Sequence, residues 1–268
     1  MYRWRRNRKG CFLVGEKMEQ KQILVKSSLD REMQPCLFYE AEGEEKRPLL
    51  VGLHTWSMDR FNQIDNMLPY AEKHGFHLLL PEFRGPNIPS NPNARKACGS
   101  KYVVHDIKDA IEYCIENFNV DSENIFLLGA SGGGQIALLM SANYPKLFRA
   151  VGAFVPVCDV KSWYEIVNKD FVQKIEACCE DEEDMLARSP ISYIDGIAQA
   201  NVKIFHGKYD PLVPKEQSIN LYFSILEKYP NSKTYLDIFD GGHEMDMELA
   251  MHWFLTQQGE KQKTEVTK

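Results

Sequence analysis

Two rhythms of hydrophobic spacing run along the chain. Apolar tracts at residues 48–53, 76–80, 124–128 and 150–157 are short and nearly continuous, as in strands buried on both faces of a sheet. Further strand-like tracts lie at 23–26, 36–41, 202–206 and 233–239. Between them, apolar residues recur at helical spacing. The clearest case is Ile107, Ala110, Ile111, Cys114, Ile115 and Phe118, which predicts a helix over 106–118. Helices are also predicted over 59–74, opened by Asp59 and closed at Gly75, and over 135–143, ended by Pro145. Two more are expected over 215–228 and 244–255. The stretch 82–100 carries Pro86, Pro89 and Pro92 among several asparagines and reads as an irregular loop.

Strands alternating with helices imply an α/β fold: a mostly parallel central sheet of about eight strands with helices on both faces. Residues 159–199 break the alternation. They are polar, include the acidic run from Glu180 to Asp184, and read as a small helical insertion before the last two strands. One domain over 18–258 is expected. Residues 1–17 read as a disordered extension, with Met18 as an alternative start, and 259–268 as a charged tail.

Composition narrows the function classes. Of 268 residues, 44% are hydrophobic and 26% charged, an ordinary globular balance. The net charge is −6 even though Arg3, Arg5, Arg6, Arg8 and Lys9 crowd the N-terminus. The body is therefore acidic, which argues against nucleic acid or an anionic membrane as partner. No apolar run reaches the roughly 18 residues of a spanning helix. The seven cysteines are scattered without zinc-ligand spacing, so reduced thiols in the cytoplasm are expected, with no metal or cofactor.

The chemistry concentrates at Gly129-Ala130-Ser131-Gly132-Gly133, between a predicted strand and a predicted helix. A serine on such a sharp turn needs small neighbours, and the following helix directs free amides at its hydroxyl. The same glycine-rich turn could cradle a phosphate, but neither G-x-G-x-x-G nor a P-loop lysine accompanies it. A serine nucleophile needs a base, and the base an orienting acid. Asp210 and His243 follow in that order, each just past a predicted strand, at the edge where open sheets place their sites. Asp237 and Asp240 are rivals for the acid. Asp237 falls inside a strand and Asp240 is too close in sequence to reach His243 easily, so Asp210 is preferred. An oxyanion hole would use the amide of Gly132 and one from the 54–57 loop, donated by Trp56 or Thr55.

These residues resemble the α/β-hydrolase superfamily and, within it, the catalytic domain of the prolyl oligopeptidase family. The resemblance spans about 27–255 and includes Ser27-Ser28-Leu29-Asp30, His54, Pro81-Glu82-Phe83-Arg84-Gly85, Gly129 to Gly134, Ser189-Pro190-Ile191, His206-Gly207-x-x-Asp210-x-x-Val213-Pro214 and Gly242-His243. It implies the Ser131–His243–Asp210 triad and an oxyanion amide at Trp56. Thr55 stands where relatives usually carry Gly. The segment before Ser27 is too short for the β-propeller that filters peptides in large members of the family.

Hydrolysis of a small carboxylic ester through an acyl-enzyme is therefore the leading expectation. The alternatives are a serine peptidase on short peptides and a non-catalytic binding protein on the same fold. For a peptide, the 180–184 run and Glu165 could hold an amino terminus. The insertion is expected to roof the site, with Trp163, Tyr164 and Tyr193 lining the substrate pocket.

Overall fold

A computed structural model describes residues 18–258. The expected extension at 1–17 and tail at 259–268 lie outside the described residues. Eight strands form one sheet: β1 (Glu19–Lys26), β2 (Met33–Glu40), β3 (Arg47–Leu53), β4 (His77–Pro81), β5 (Val120–Ala130), β6 (Ala150–Phe154), β7 (Val202–Gly207) and β8 (Thr234–Phe239). Their spatial order is β1-β2-β4-β3-β5-β6-β7-β8. β1 pairs with β2, and β2 with β4, antiparallel. Every junction from β4 through β3 to β8 is parallel.

Side chains alternate across a strand, so the apolar runs feed two cores at once. Leu49, Val51 and Leu53 of β3 and Ile125 and Leu127 of β5 face one core. It is covered by α2 (Lys101–Asn117), α3 (Gly132–Asn143) and α8 (Glu216–Lys228). Leu50, Phe126 and Leu128 face the other, under α1 (Ile64–His74) and α9 (Met247–Gln257). The edge strand β1 buries only Ile23 and Val25 among its eight residues and leaves its lysines and glutamate toward water. That pattern suits a strand with one solvated face.

Two helix starts, those of α1 and α2, differ by five residues from the sequence expectation. Helix α1 begins at Ile64, five residues after Asp59, because Asp59 spends its carboxylate on the amide of Phe61 in a preceding turn (3.0 Å). Helix α2 begins earlier than expected, at Lys101, where Ser100 caps it by accepting from the Tyr102 amide. The 82–100 stretch is a loop apart from one short turn of 3₁₀ helix at Ala94–Lys96. Arg84 fastens it. Its guanidinium is wholly buried and donates to Asp106, Asp30, Glu32 and Ser27, joining the β1–β2 turn, this loop and α2.

The insertion forms four short α-helices, α4 (Val160–Tyr164), α5 (Lys169–Cys178), α6 (Glu182–Ala187) and α7 (Ile194–Ile197), with a 3₁₀ turn at Pro190–Tyr193 before the last. Although polar in sequence, it has an apolar interior of its own. Trp163, Val160, Ile175, Cys178, Cys179 and Met185 pack with Trp56 and Val213, so the insertion sits on the loops that follow β3 and β7.

Candidate active site

Ser131 occupies the single residue between β5 and α3, with φ 56° and ψ −119°. This is a region that a residue with a side chain enters only when the surroundings compel it. Here its amide donates to Phe154 O of β6 (2.9 Å). Two glycines make the turn possible by their lack of a side chain. A Cβ on Gly129 would stand 2.3 Å from the Gly133 carbonyl oxygen, and one on Gly132 would stand 2.8 Å from Trp56 Cα. The Gly129 contact is a β5 strand end pressed against the first turn of α3. The Gly132 contact brings that turn against the loop after β3.

That second approach brings the backbone of Trp56 close to that of Gly132. Gly132 is the first residue of α3, and its N–H has no partner within the helix. Trp56 N lies 2.9 Å from where a Gly132 Cβ would be. Neither amide donates to another described group. Thr55, the other donor considered from the sequence, is already engaged: its N–H goes to Asn62 Oδ1 (3.1 Å). The Thr55 carbonyl lies 2.9 Å from His54 Nδ1 and accepts from Met58 N at 3.2 Å.

His243 follows β8, and its Nδ1 lies 2.7 Å from Asp210 Oδ2. Asp210 follows β7 and its side chain is fully buried. Its other oxygen accepts the amides of Leu212 (2.8 Å) and Val213 (3.0 Å). Burial alone would raise its pKa. Hydrogen bonding to His206 and His243, together with the two backbone amides, outweighs that and holds the carboxyl well below the usual carboxylate range. His206 is buried beneath this loop, with Nδ1 2.7 Å from Ser218 Oγ and Nε2 2.9 Å from Val213 O. Of the rival acids, Asp237 pairs with Lys203 (3.1 Å).

Ser131 and His243 share the wall of one cavity of about 320 Å³ with Thr55, Asn62, Gln63, Asn66, Ala130, Val155, Glu244 and Met245. Among the described residues no hydrogen bond joins Ser131 to His243 directly. Asn62, Gln63, Asn66 and Met245 were not anticipated as lining. The carboxamides of Asn62, Gln63 and Asn66 lie in a stretch whose apolar period reads as helix, and nothing in that period shows which residues turn toward Ser131.

The three aromatic residues expected to line the pocket are not brought to it. Trp163 is only 1% exposed. It donates through Nε1 to Leu212 O (3.0 Å) and stands edge-on to Trp56 at 5.0 Å, as the keystone of the insertion's interior. Tyr164 bonds Glu176 and faces a separate groove of about 350 Å³. Tyr193 is surface-exposed, with its hydroxyl on Ala187 O. Glu165, Glu180, Asp181 and Glu182 border the same separate groove as Tyr164, where Lys161 meets Glu182 at 2.6 Å.

The sequence profile of the prolyl oligopeptidase family matches residues 63–258. The chain belongs to the prolyl oligopeptidase family. Among its relatives, an acetylxylan esterase of Coprinopsis cinerea is 28% identical over 123 residues, 42% of this chain and 32% of that protein. The rat acylamino-acid-releasing enzyme is 26% identical over 216 residues, 70% of this chain and 28% of that protein. The chain thus spans about a third or less of these two relatives' lengths. Among solved structures, the uncomplexed acylaminoacyl peptidase of Pyrococcus horikoshii superposes with a TM-score of 0.74 at 20% identity, over 90% of this chain and 42% of the other. It shares the α/β-hydrolase fold. No helix among the described residues is long and apolar enough to cross a membrane.

Proposed function

We propose that this protein is a serine hydrolase that cleaves small carboxylic esters through an acyl-enzyme on Ser131. The observation that carries the reading is one cavity lined by a strained serine and by a histidine paired to a buried carboxylate, with two unclaimed amides, those of Gly132 and Trp56, next to the nucleophile turn. In the reaction, Ser131 Oγ attacks the carbonyl carbon while His243 Nε2 takes the hydroxyl proton. The carbonyl π electrons move to oxygen, which rests on the Gly132 and Trp56 amides. Collapse expels the alcohol, which takes the proton from His243. Water then enters and gives a proton to His243 as its oxygen bonds to the acyl carbon; the bond to Ser131 Oγ breaks, His243 returns the proton to that oxygen, and the acid leaves. Asp210, kept ionised by its four partners, holds the proton of His243 on Nδ1 throughout. The absence of a direct Ser131–His243 bond fits a free enzyme, in which such contacts tighten only with substrate.

The small cavity favours an ester with a compact acyl group, and the acetylxylan esterase relative points the same way. A peptidase reading draws on the acylamino-acid-releasing relative, which matches more of the chain. It lacks the expected support from the acidic insertion, whose glutamates border another groove. The acidic net charge fits a small-molecule substrate rather than nucleic acid or membrane, and buried free thiols at the six described cysteines fit the cytoplasm.

The test compares the protein and its Ser131→Ala variant on short-acyl nitrophenyl esters and on aminoacyl and dipeptidyl nitroanilides. Ester turnover that disappears in the variant is expected. Nitroanilide cleavage at comparable kcat/KM would replace the esterase with the peptidase. Turnover that survives in Ser131→Ala would remove Ser131 as the nucleophile.

A further inference from the structure

A trans peptide is planar, with its carbonyl and its N–H pointing in opposite directions. Fixing the carbonyl of residue 55 therefore fixes the direction of the Trp56 N–H. That carbonyl sits between His54 Nδ1 (2.9 Å) and Met58 N (3.2 Å), which anchors the peptide on the C-terminal side of Thr55. On the other side, the Thr55 N–H is accepted by Asn62 Oδ1 at 3.1 Å. With both flanking peptides anchored, the two backbone torsions of Thr55 are set. A third anchor lies just beyond, where Trp56 O accepts from Asn87 N at 2.8 Å. Of these restraints, that on the Thr55 amide alone is a side chain lining the same cavity as Ser131.

The orientation of the Asn62 carboxamide is not arbitrary. A backbone N–H can only donate, so the atom 3.1 Å from Thr55 N is the oxygen. The same oxygen accepts from Gln63 Nε2 (3.0 Å), and Gln63 Oε1 in turn accepts from Asn66 Nδ2 (3.0 Å). Gln63 is buried, so the pair is held at its inner end and Asn62 has little freedom to swing. Engaging the Thr55 amide also removes it as a competing donor and leaves the Trp56 and Gly132 amides as the two without a described partner.

We propose that Asn62 is a positioning residue of the oxyanion hole: it pins the Thr55 amide through Oδ1 and so aims the neighbouring Trp56 N–H beside that of Gly132. The proposal rests on the serine-hydrolase reading above. Asn62 does not itself touch the reacting atoms. Its effect is to keep one donor within the narrow distance at which an oxyanion is stabilised.

The experiment uses the full chain and its Asn62→Ala variant, with three readouts. A fluorophosphonate probe tests whether Ser131 is nucleophilic at all. Steady-state kinetics on a short-acyl nitrophenyl ester separate kcat from KM. A trifluoromethyl ketone labelled with ¹³C at its carbonyl forms a hemiketal on the serine, and the pKa of that hemiketal, read by NMR, reports on the hole itself.

In Asn62→Ala we expect kcat to fall about 10- to 100-fold with KM little changed, short of the ~10²–10³-fold seen when a donor is deleted outright. The hemiketal pKa should rise. If the alanine variant does not fold, Asn62→Ser serves with the same expectation, because its hydroxyl is too short to reach both Thr55 N and Gln63 Nε2. Unchanged kcat and hemiketal pKa would overturn the proposal. So would a raised KM at unchanged kcat, which would assign Asn62 to substrate binding through its free Nδ2. Wild-type protein that the fluorophosphonate does not label at Ser131 would overturn the hydrolase reading itself, and the two failures are told apart by that first readout.

Discussion

Replacing Gly132 by alanine adds one methyl group at the place where the nucleophile turn meets the loop after β3. The new Cβ would lie 2.8 Å from Trp56 Cα and 2.9 Å from Trp56 N. Carbon atoms in contact sit about 3.5–4.0 Å apart, so the two backbones must separate by at least ~0.7 Å. Neither side of the contact is a flexible side-chain tip. The displacement falls on the peptide groups proposed to bind the oxyanion, whose donors must sit within about 2.7–3.1 Å of it. A misplacement approaching 1 Å costs on the order of 10²-fold in rate, and overpacking of this kind costs about 1–3 kcal/mol in stability. Gly132→Ala should therefore fold with a lowered Tm, keep KM, and lose about two orders of magnitude in kcat on a nitrophenyl ester. Gly242→Ala is the matched control. It is next to His243, but a Cβ there meets nothing within 4 Å, so its kinetics should match the parent. A folded Gly132→Ala variant with undiminished kcat would refute the assignment of these two amides to the oxyanion hole.

Two other variants probe the triad and the roof. In Asp210→Asn, the side-chain oxygen stays with the Leu212 and Val213 amides, so the new NH₂ faces His243 Nδ1 and forces the wrong tautomer. We expect kcat to drop about 10³- to 10⁴-fold, and retention of activity would disqualify Asp210 as the orienting acid. The same carboxyl has a folded pKa below its ordinary 3.8. Its contribution to stability is thus complete above that value and is lost as pH falls through the lower, folded value. A pH series of Tm should show this acid-side loss in the parent and a smaller one in Asp210→Asn. Trp163→Ala should lower stability by roughly 3–5 kcal/mol in denaturant titration, since it empties a closed interior. Its relative kcat/KM across acyl chain lengths should stay as in the parent, and a changed preference would mean that substrate reaches Trp163 after all.

What the sequence by itself determined is whatever depends on burial and spacing. The apolar tracts of β3, β5 and β6 announce strands covered on both faces, because a strand between two helical layers has no solvated side. The order of Ser131, Asp210 and His243, each past a strand end, placed them along one edge of a parallel sheet, and the structure brings Asp210 and His243 into contact and sets His243 and Ser131 on one cavity. The need for small residues beside Ser131 was equally legible, since a strained turn leaves no room for a Cβ.

Tertiary structure alone decided how hydrogen bonds and aromatic rings were allotted. The spacing of the 54–57 loop leaves Thr55 and Trp56 both open as donors, with the family resemblance favouring Trp56, and Asn62 reaching back to Thr55 supports that choice. Trp163 had the composition of a pocket residue, yet its indole is claimed by Leu212 O, 49 positions away, and by Trp56. The start of α1 moved because Asp59 capped a turn instead of a helix. Periodicity encodes which face of an element avoids water. It carries no record of which distant donor will meet which acceptor, because that pairing exists only once the loops after β3, β5, β7 and β8 have been brought to the same end of the sheet.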